Sequence, residues 1–270
     1  MSAELSDRQS KDLERAVALL EGRSLAARLT EVVGAPVEKA LERLPAGAQV
    51  ALAAASRKAL DAALHVAIAT LERGGQPGRP ASTRWHTLLA ATTGAAGGAF
   101  GLPALALELP LSTTLMLRSV ADIARSEGAD LDAPSTRLEC VQVLAFGEPA
   151  GEDRGPGAET GYFAVRRALA GVVGQAARHL AAGTLEREGA PILVRLLTQV
   201  AERFSVQVSQ KAAAQLVPVL GAVGGALVNT MFMGHFQDLA RGHFIVRRLE
   251  RELGAAVVEA RYRAIADVRR

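Results

Sequence analysis

The sequence predicts an all-α protein, and three observations carry that prediction. Apolar residues recur every three or four positions along almost all of its 270 residues, the period of a helix with one buried face. Ala, Leu, Arg and Glu dominate, and these lose little on entering a helix. The alternating β-branched runs that mark strands are few. The length suffices to bury a substantial core without disulfide staples.

The periodicity places helices at about 4–20, 25–44, 47–73, 81–97, 110–127, 135–146, 160–182, 190–214, 218–240 and 243–266. Pro36 is expected to kink or end the second of them, because it lacks the amide that a helix interior needs. "RGGQPGRP" (Arg73–Pro80) and "GEPAGEDRGPG" (Gly147–Gly157) combine Gly, Pro and charge without apolar period and read as loops. The second reads as a flexible surface insertion over about 147–158. Neither separates an independently folding unit, so residues 1–270 read as a single domain.

Charge narrows the partners. Net charge is only +3, but of 31 basic residues four are lysines (Lys11, Lys39, Lys58, Lys211). From Arg241 to Arg270 eight arginines stand against Glu250, Glu252, Glu259 and Asp267, a balance that favours an anionic surface such as a membrane. Nucleic acid is not expected: aromatics make up 4% of the chain, and no basic stretch interleaves Phe or Tyr for base stacking. The lone cysteine, Cys140, lies in the apolar-periodic "TRLECVQVLAF" and reads as a small buried side chain in a reducing compartment. The amino terminus mixes both charge signs and lacks the basic start and apolar centre of a secretory leader, so a cytoplasmic location is expected.

Two uncharged runs stand out, Thr87–Leu107 with 21 residues and Ala212–Gly234 with 23. They share a phrase, "GAAGGAFG" (Gly94–Gly101) and "GAVGGALV" (Gly221–Val228). Both lengths suit a bilayer span, yet Gly, Ala, Thr and the mid-run Pro103 and Pro218 make them less oily than a committed transmembrane helix. The glycines at Gly94/Gly98, Gly97/Gly101 and Gly221/Gly225 are four apart and, with Gly224, line a helix face without side chains, which admits another backbone closely. Each costs about 0.8–1.0 kcal/mol of helix stability against alanine, so compensating contact is expected, most simply between the two runs. Two readings stay open: a glycine-lined crossing in a soluble core, and apolar hairpins that enter or lie on a bilayer.

The phrases "GLPALALELPLSTTLMLRSVADIA" (Gly101–Ala124), "LECVQVLAFG" (Leu138–Gly147), "GYFAVRRALA" (Gly161–Ala170) and "VPVLGAVGGALVNTMFMGHFQDLARGHFIVRRLE" (Val217–Glu250) occur in that order. Together they resemble the EcsC protein family, over about Trp85 to Glu250. The resemblance implies a bacterial protein with a membrane-linked role, since the family's namesake is encoded beside the components of an ABC transporter. It carries no catalytic residues over to these positions.

Standard catalytic spacings, among them Gly-x-Ser-x-Gly, His-Glu-x-x-His, the Walker loop and Cys-x-x-Cys, are missing from the sequence. The one constellation to weigh is His235 and Asp238, three apart on one helix face, with His243 two turns on and Glu108 bordering the first run. Packed together, Glu108, His235 and Asp238 would form a carboxylate–imidazole cluster for acid–base work or a divalent metal. The plainer reading has Glu108 near the start of a helix at Pro110, Asp238 paired with Arg241, and His243 bonded to a backbone carbonyl. Arg118, Asp122 and Arg125 have the spacing of a salt-bridged surface, and His65, His86 and His179 show no ligand partners.

No metal or cofactor is expected. The function these residues suggest is a non-enzymatic accessory protein on the inner face of the cell membrane, contacting lipid or a membrane protein such as a transporter. In it Leu102, Leu105 and Leu107 would enter the acyl region, and Arg247 and Arg248 would meet anionic headgroups. The alternatives are a hydrolase or metal-dependent enzyme built on Glu108, His235 and Asp238, and a soluble protein enclosing an apolar ligand such as a fatty acyl chain.

Overall fold

In a computed structural model of the protein, the described residues are 5–34, 36–44, 47–71, 83, 86–89, 102–147, 161–183, 190–215 and 221–269. The side chains of residues 64–71, 102–107, 190 and 221–223 lie outside that description. Every regular element among the described residues is helical: α1 (Asp7–Leu20), α2 (Leu25–Val33), α3 (Val37–Leu41), α4 (Ala48–Leu71), α5 (Leu102–Ser126), α6 (Pro134–Gln142) with a 3-10 turn (Val143–Ala145), α7 (Gly161–Ala181), α8 (Ala190–Gln215), α9 (Gly221–Leu253) and α10 (Ala255–Arg269). The loops expected at Arg73–Pro80 and Gly147–Gly157, apart from Gly147 itself, lie outside the described residues, as do Gly94, Gly97, Gly98 and Gly101.

Local chemistry fixes the helix ends. Ser6 opens α1 with a capping box: its hydroxyl accepts from the Gln9 amide at 3.3 Å, and the Gln9 side chain accepts from the Ser6 amide at 3.0 Å. Leu13, Ala16, Val17 and Leu20 form the buried stripe of that helix. The single helix expected over 25–44 is two. Gly34, at φ 68°, closes α2 in the left-handed conformation, and Pro36 stands immediately before α3.

Two other boundaries correct the sequence reading. The helix expected to begin at Pro110 begins at Leu102, and Pro110 lies inside it. The proline removes one amide donor; the helix continues because α5 is packed along both α4 and α9, with Leu109, Met116, Val120 and Ile123 fully or almost fully buried. The break expected between 240 and 243 is absent, and α9 runs on for 33 residues until Gly254 turns the chain at φ 88°. Gly242 is a contact glycine: a Cβ there would lie 2.6 Å from Leu20 Cγ and 3.2 Å from the Ala16 carbonyl. Its missing side chain lets α1 close on the middle of α9.

The core runs without interruption from Leu13 in α1 to Ala266 in α10. Phe204, Phe232 and Phe236 lock α8 to α9, with ring centroids 5.2–6.1 Å apart. Cys140 is buried as expected, and burial first of all pushes its thiol pKa up, away from reactivity. The helix that takes up the end of the first uncharged run, α5, packs on the helix that carries most of the second, α9, where Gly224 and Gly225 are buried.

Candidate functional site

The residues singled out as one polar cluster occupy three separate places. Glu108 sits inside α5 and accepts from Lys211 Nζ of α8 at 2.7 Å, so it does not cap a helix start. The same ammonium donates to Asn229 Oδ1 of α9 at 2.7 Å and lies 5.0 Å from the centre of the Phe232 ring. Lys211 is wholly buried and Glu108 nearly so. Burial pulls the Lys211 pKa down, and the adjoining carboxylate opposes that pull. In the sequence Lys211 is marked by the rarity of lysine, one of four. A signal was present: Glu108 closes the first uncharged run and Lys211 opens the second, two opposite charges at the edges of two apolar segments.

Asp238 accepts from Arg28 of α2 at 2.9 Å, where a bond to Arg241 was expected. His235 is buried beneath the turn after α6, so close that a Cβ on Gly147 would meet its Nε2 at 2.6 Å. Gln207 of α8 donates to the Phe146 carbonyl of the same turn at 2.5 Å. Among the described residues no three His, Cys, Asp or Glu side chains are placed to hold a metal ion. The helix faces that bear Glu108, His235 and Asp238 meet different neighbours, which is why their sequence spacing does not become a cluster.

His243 belongs to a third centre. Its Nδ1 lies 2.9 Å from the Tyr162 hydroxyl and its Nε2 3.8 Å from Glu139 Oε2, the latter an electrostatic contact beyond hydrogen-bond length. Arg247 grips Glu139 through two bonds of 2.8 and 3.1 Å and also donates to Glu250 at 2.7 Å. Arg166 completes the network with bonds of 2.6 and 2.7 Å to the two Glu250 oxygens. Burial opposes ionisation of Glu139, yet His243 and Arg247 hold its pKa down at about 2. Every charge here has a partner, so the network ties α6, α7 and α9 together. Arg248 is likewise engaged, with Asp12 at 2.9 Å and Glu127 at 3.1 Å. His86, for which the sequence shows no ligand partners, meets Asp122 at 3.0 Å, and Asp122 also accepts from Arg125 at 3.2 Å. The side chain of His65 lies outside the described residues.

The pairing of Lys211 with Glu108 and Asn229 orients the bundle. At 1.5 Å per residue, Leu102 stands about 9 Å from Glu108, Gln215 about 6 Å from Lys211 and Gly221 about 12 Å from Asn229 along their axes. The start of α5, the end of α8 and the start of α9 therefore face one end. The residues joining α8 to α9 there are "LVPVL" (216–220), and those entering α5 are the uncharged glycine run. Connections at a bundle end are ordinarily polar. Leu111, about 14 Å in from Leu102 along α5, is 51% exposed, and Leu227, about 9 Å in from Gly221 along α9, is 46% exposed. Leu102, Leu105 and Leu107 lie in the first turns of α5, with side chains outside the described residues. Arg247 and Arg248, by contrast, lie 26 and 27 residues beyond Gly221 on α9, about 40 Å away along the axis. Both arginines, expected to meet anionic headgroups, stand in internal ion pairs far along α9 from the leucines expected to enter the acyl region. Among the described residues no helix is long and apolar enough to cross a membrane.

A pH response follows from His235. Burial, reinforced by the Arg28 charge, pushes its pKa down to about 3, whereas the unfolded chain titrates near 6.5. The unfolded state therefore takes up the proton first as pH falls. Stability present above pH of about 6.5 is lost progressively toward about 3, with a slope of at most about 1.4 kcal/mol per unit from this group. His243, also pushed down mainly by burial, adds a slope of the same sign. His235→Gln is expected to flatten the dependence by the His235 share. Urea denaturation at intervals from about pH 7 to 4.5 checks this, and an unchanged slope would place His235 in contact with water.

Residues 4–249 match the family model described as the EcsC protein family. No curated protein and no solved structure matches the chain. The match begins 81 residues before Trp85, where the sequence phrases began, in keeping with the packing of α1 and α2 along α9.

Proposed function

The chain belongs to the EcsC protein family, and from that premise we propose that it is a membrane-associated accessory protein that presents one apolar end of its helical bundle to lipid or to the apolar face of a membrane protein. The observation that carries this reading is the gathering of the α5 start, the α8 end and the α9 start around the buried Glu108–Lys211 pair. Through it the described parts of both uncharged runs lie toward one end, the second run continuing in sequence through "LVPVL" between α8 and α9, and the exposed Leu111 and Leu227 stand about 14 and 9 Å in from the α5 and α9 starts. Glu108 and Lys211 cancel each other's charge, which favours apolar contact nearby. Attachment is peripheral and end-on, and it does not use Arg247 or Arg248.

Vesicle flotation tests this. Wild-type protein is expected to rise with both neutral and anionic vesicles and to stay bound in high salt, because apolar contact is not screened. A Leu111→Asp/Leu227→Asp variant is expected to lose at least about tenfold in partition, since each leucine entering the acyl region contributes about 1.5–3 kcal/mol. Val268→Asp, at an exposed site on α10, is the control and should float as wild type. Folded wild-type protein that ignores both vesicles, or a double variant that floats undiminished, would sink the lipid reading.

A further inference from the structure

A second apolar feature lies on the flank of the bundle and owes nothing to the end just described. Between α4 and α8 runs an open groove of about 590 Å³, within the range of small-ligand sites. Its α4 wall is Val50, Ala53 and Ala54, and its α8 wall is Val194 and Leu197. These follow the i, i+3, i+4 spacing that puts them on one face of each helix. Val50 is 75% and Val194 61% exposed, the two most exposed large apolar side chains among the described residues after Val268. Arg57 and Lys58 line the groove one to two turns further along α4, both exposed. Among the described residues neither has an ion-pair or hydrogen-bond partner, and Asp61, which lines the same end of the groove, has an interaction of its own. The groove is thus apolar at one end and, with Arg57 and Lys58 beside the single carboxylate of Asp61, net positive at the other, over about 12 Å from Val50 to Lys58.

We infer that this groove binds a single-chain anionic amphiphile, a free fatty-acid carboxylate, with the chain along Val50, Ala54 and Val194 and the carboxylate at Arg57 and Lys58. Charge decides the head, because two unpaired cations flank the apolar strip and a neutral or cationic head would leave them unmatched. Size decides the tail. One acyl chain lies along the stretch of about 12 Å from Val50 to Lys58 between the two walls.

The experiment titrates the full-length protein, labelled at its valine methyl groups, with dodecanoate below the micelle-forming concentration. Dodecanol and dodecyltrimethylammonium serve as neutral and cationic counterparts. Saturable shifts at Val50 and Val194 with dodecanoate, and weaker ones with the other two, are expected. Arg57→Glu/Lys58→Glu should weaken dodecanoate about 5–30-fold, as expected for two exposed charges. Ala54→Trp, on an exposed face and so compatible with folding, should fill the groove and abolish the shifts. Equal response to dodecanol, indifference to the charge reversal, or equal shifts at Val268 in its separate groove between α1 and α10 would each overturn the assignment. The charge-reversed variant should float with vesicles as wild type, so loss of this site and loss of the membrane contact are told apart.

Discussion

Lys211→Met is expected to destabilise the protein by about 3–5 kcal/mol, because it leaves the Glu108 carboxylate buried without its counter-charge. The ammonium has no water to replace it: Lys211 is fully enclosed, donates 2.7 Å bonds to Glu108 and Asn229, and lies against Phe232. The long apolar stem of Met keeps most of the lost volume filled, so the cost reports charge and not a cavity. A Glu108→Leu/Lys211→Met double variant is expected to recover most of the loss, since removing both ions also removes both desolvation penalties. Urea denaturation of the four proteins closes the cycle. If Lys211→Met alone costs less than about 1 kcal/mol, the pair is solvated and does not pin the apolar end.

Gly147→Ala is the second large effect, expected at about 2–5 kcal/mol. Two independent costs meet at this turn. At φ 99° a side chain is strained, which costs about 1–2 kcal/mol. A Cβ would also stand 2.6 Å from His235 Nε2 and 3.0 Å from Leu239 Cδ1, an overpacking of about 1–3 kcal/mol. Gly128→Ala separates the two: at φ 75°, with nothing within 4 Å of its Cβ, it should show the backbone cost alone. Equal losses at both positions in chemical denaturation would mean that His235 moves aside freely, and would weaken the account of its buried neutral state.

The helices were legible in the sequence wherever one helix owes its form to its own residues. Apolar period and Pro36 place α1 and the α2–α3 break correctly to within a few residues. The misread points, Pro110 and Gly242, are those where a local helix breaker is overruled by a neighbour, α4 and α9 against α5 in one case and α1 against α9 in the other. Local propensity is worth about 1–3 kcal/mol at such a position, and packing along a buried face exceeds it.

By itself the sequence determined the all-α class, the family, the burial of Cys140 and the two uncharged runs with one charge at the edge of each. Those are properties of composition and of spacing within a helix turn or two, so they need no knowledge of the fold. Only the tertiary structure decided which faces meet. Glu108 finds Lys211 across 103 residues, Asp238 finds Arg28 across 210, and His243 finds Tyr162 across 81. Helical spacing says which side chains share a face, but the partner of that face is set by the packing of the whole bundle. The same packing drew Arg247 and Arg248 into internal ion pairs about 40 Å from the apolar end, a separation that no local pattern in the sequence records.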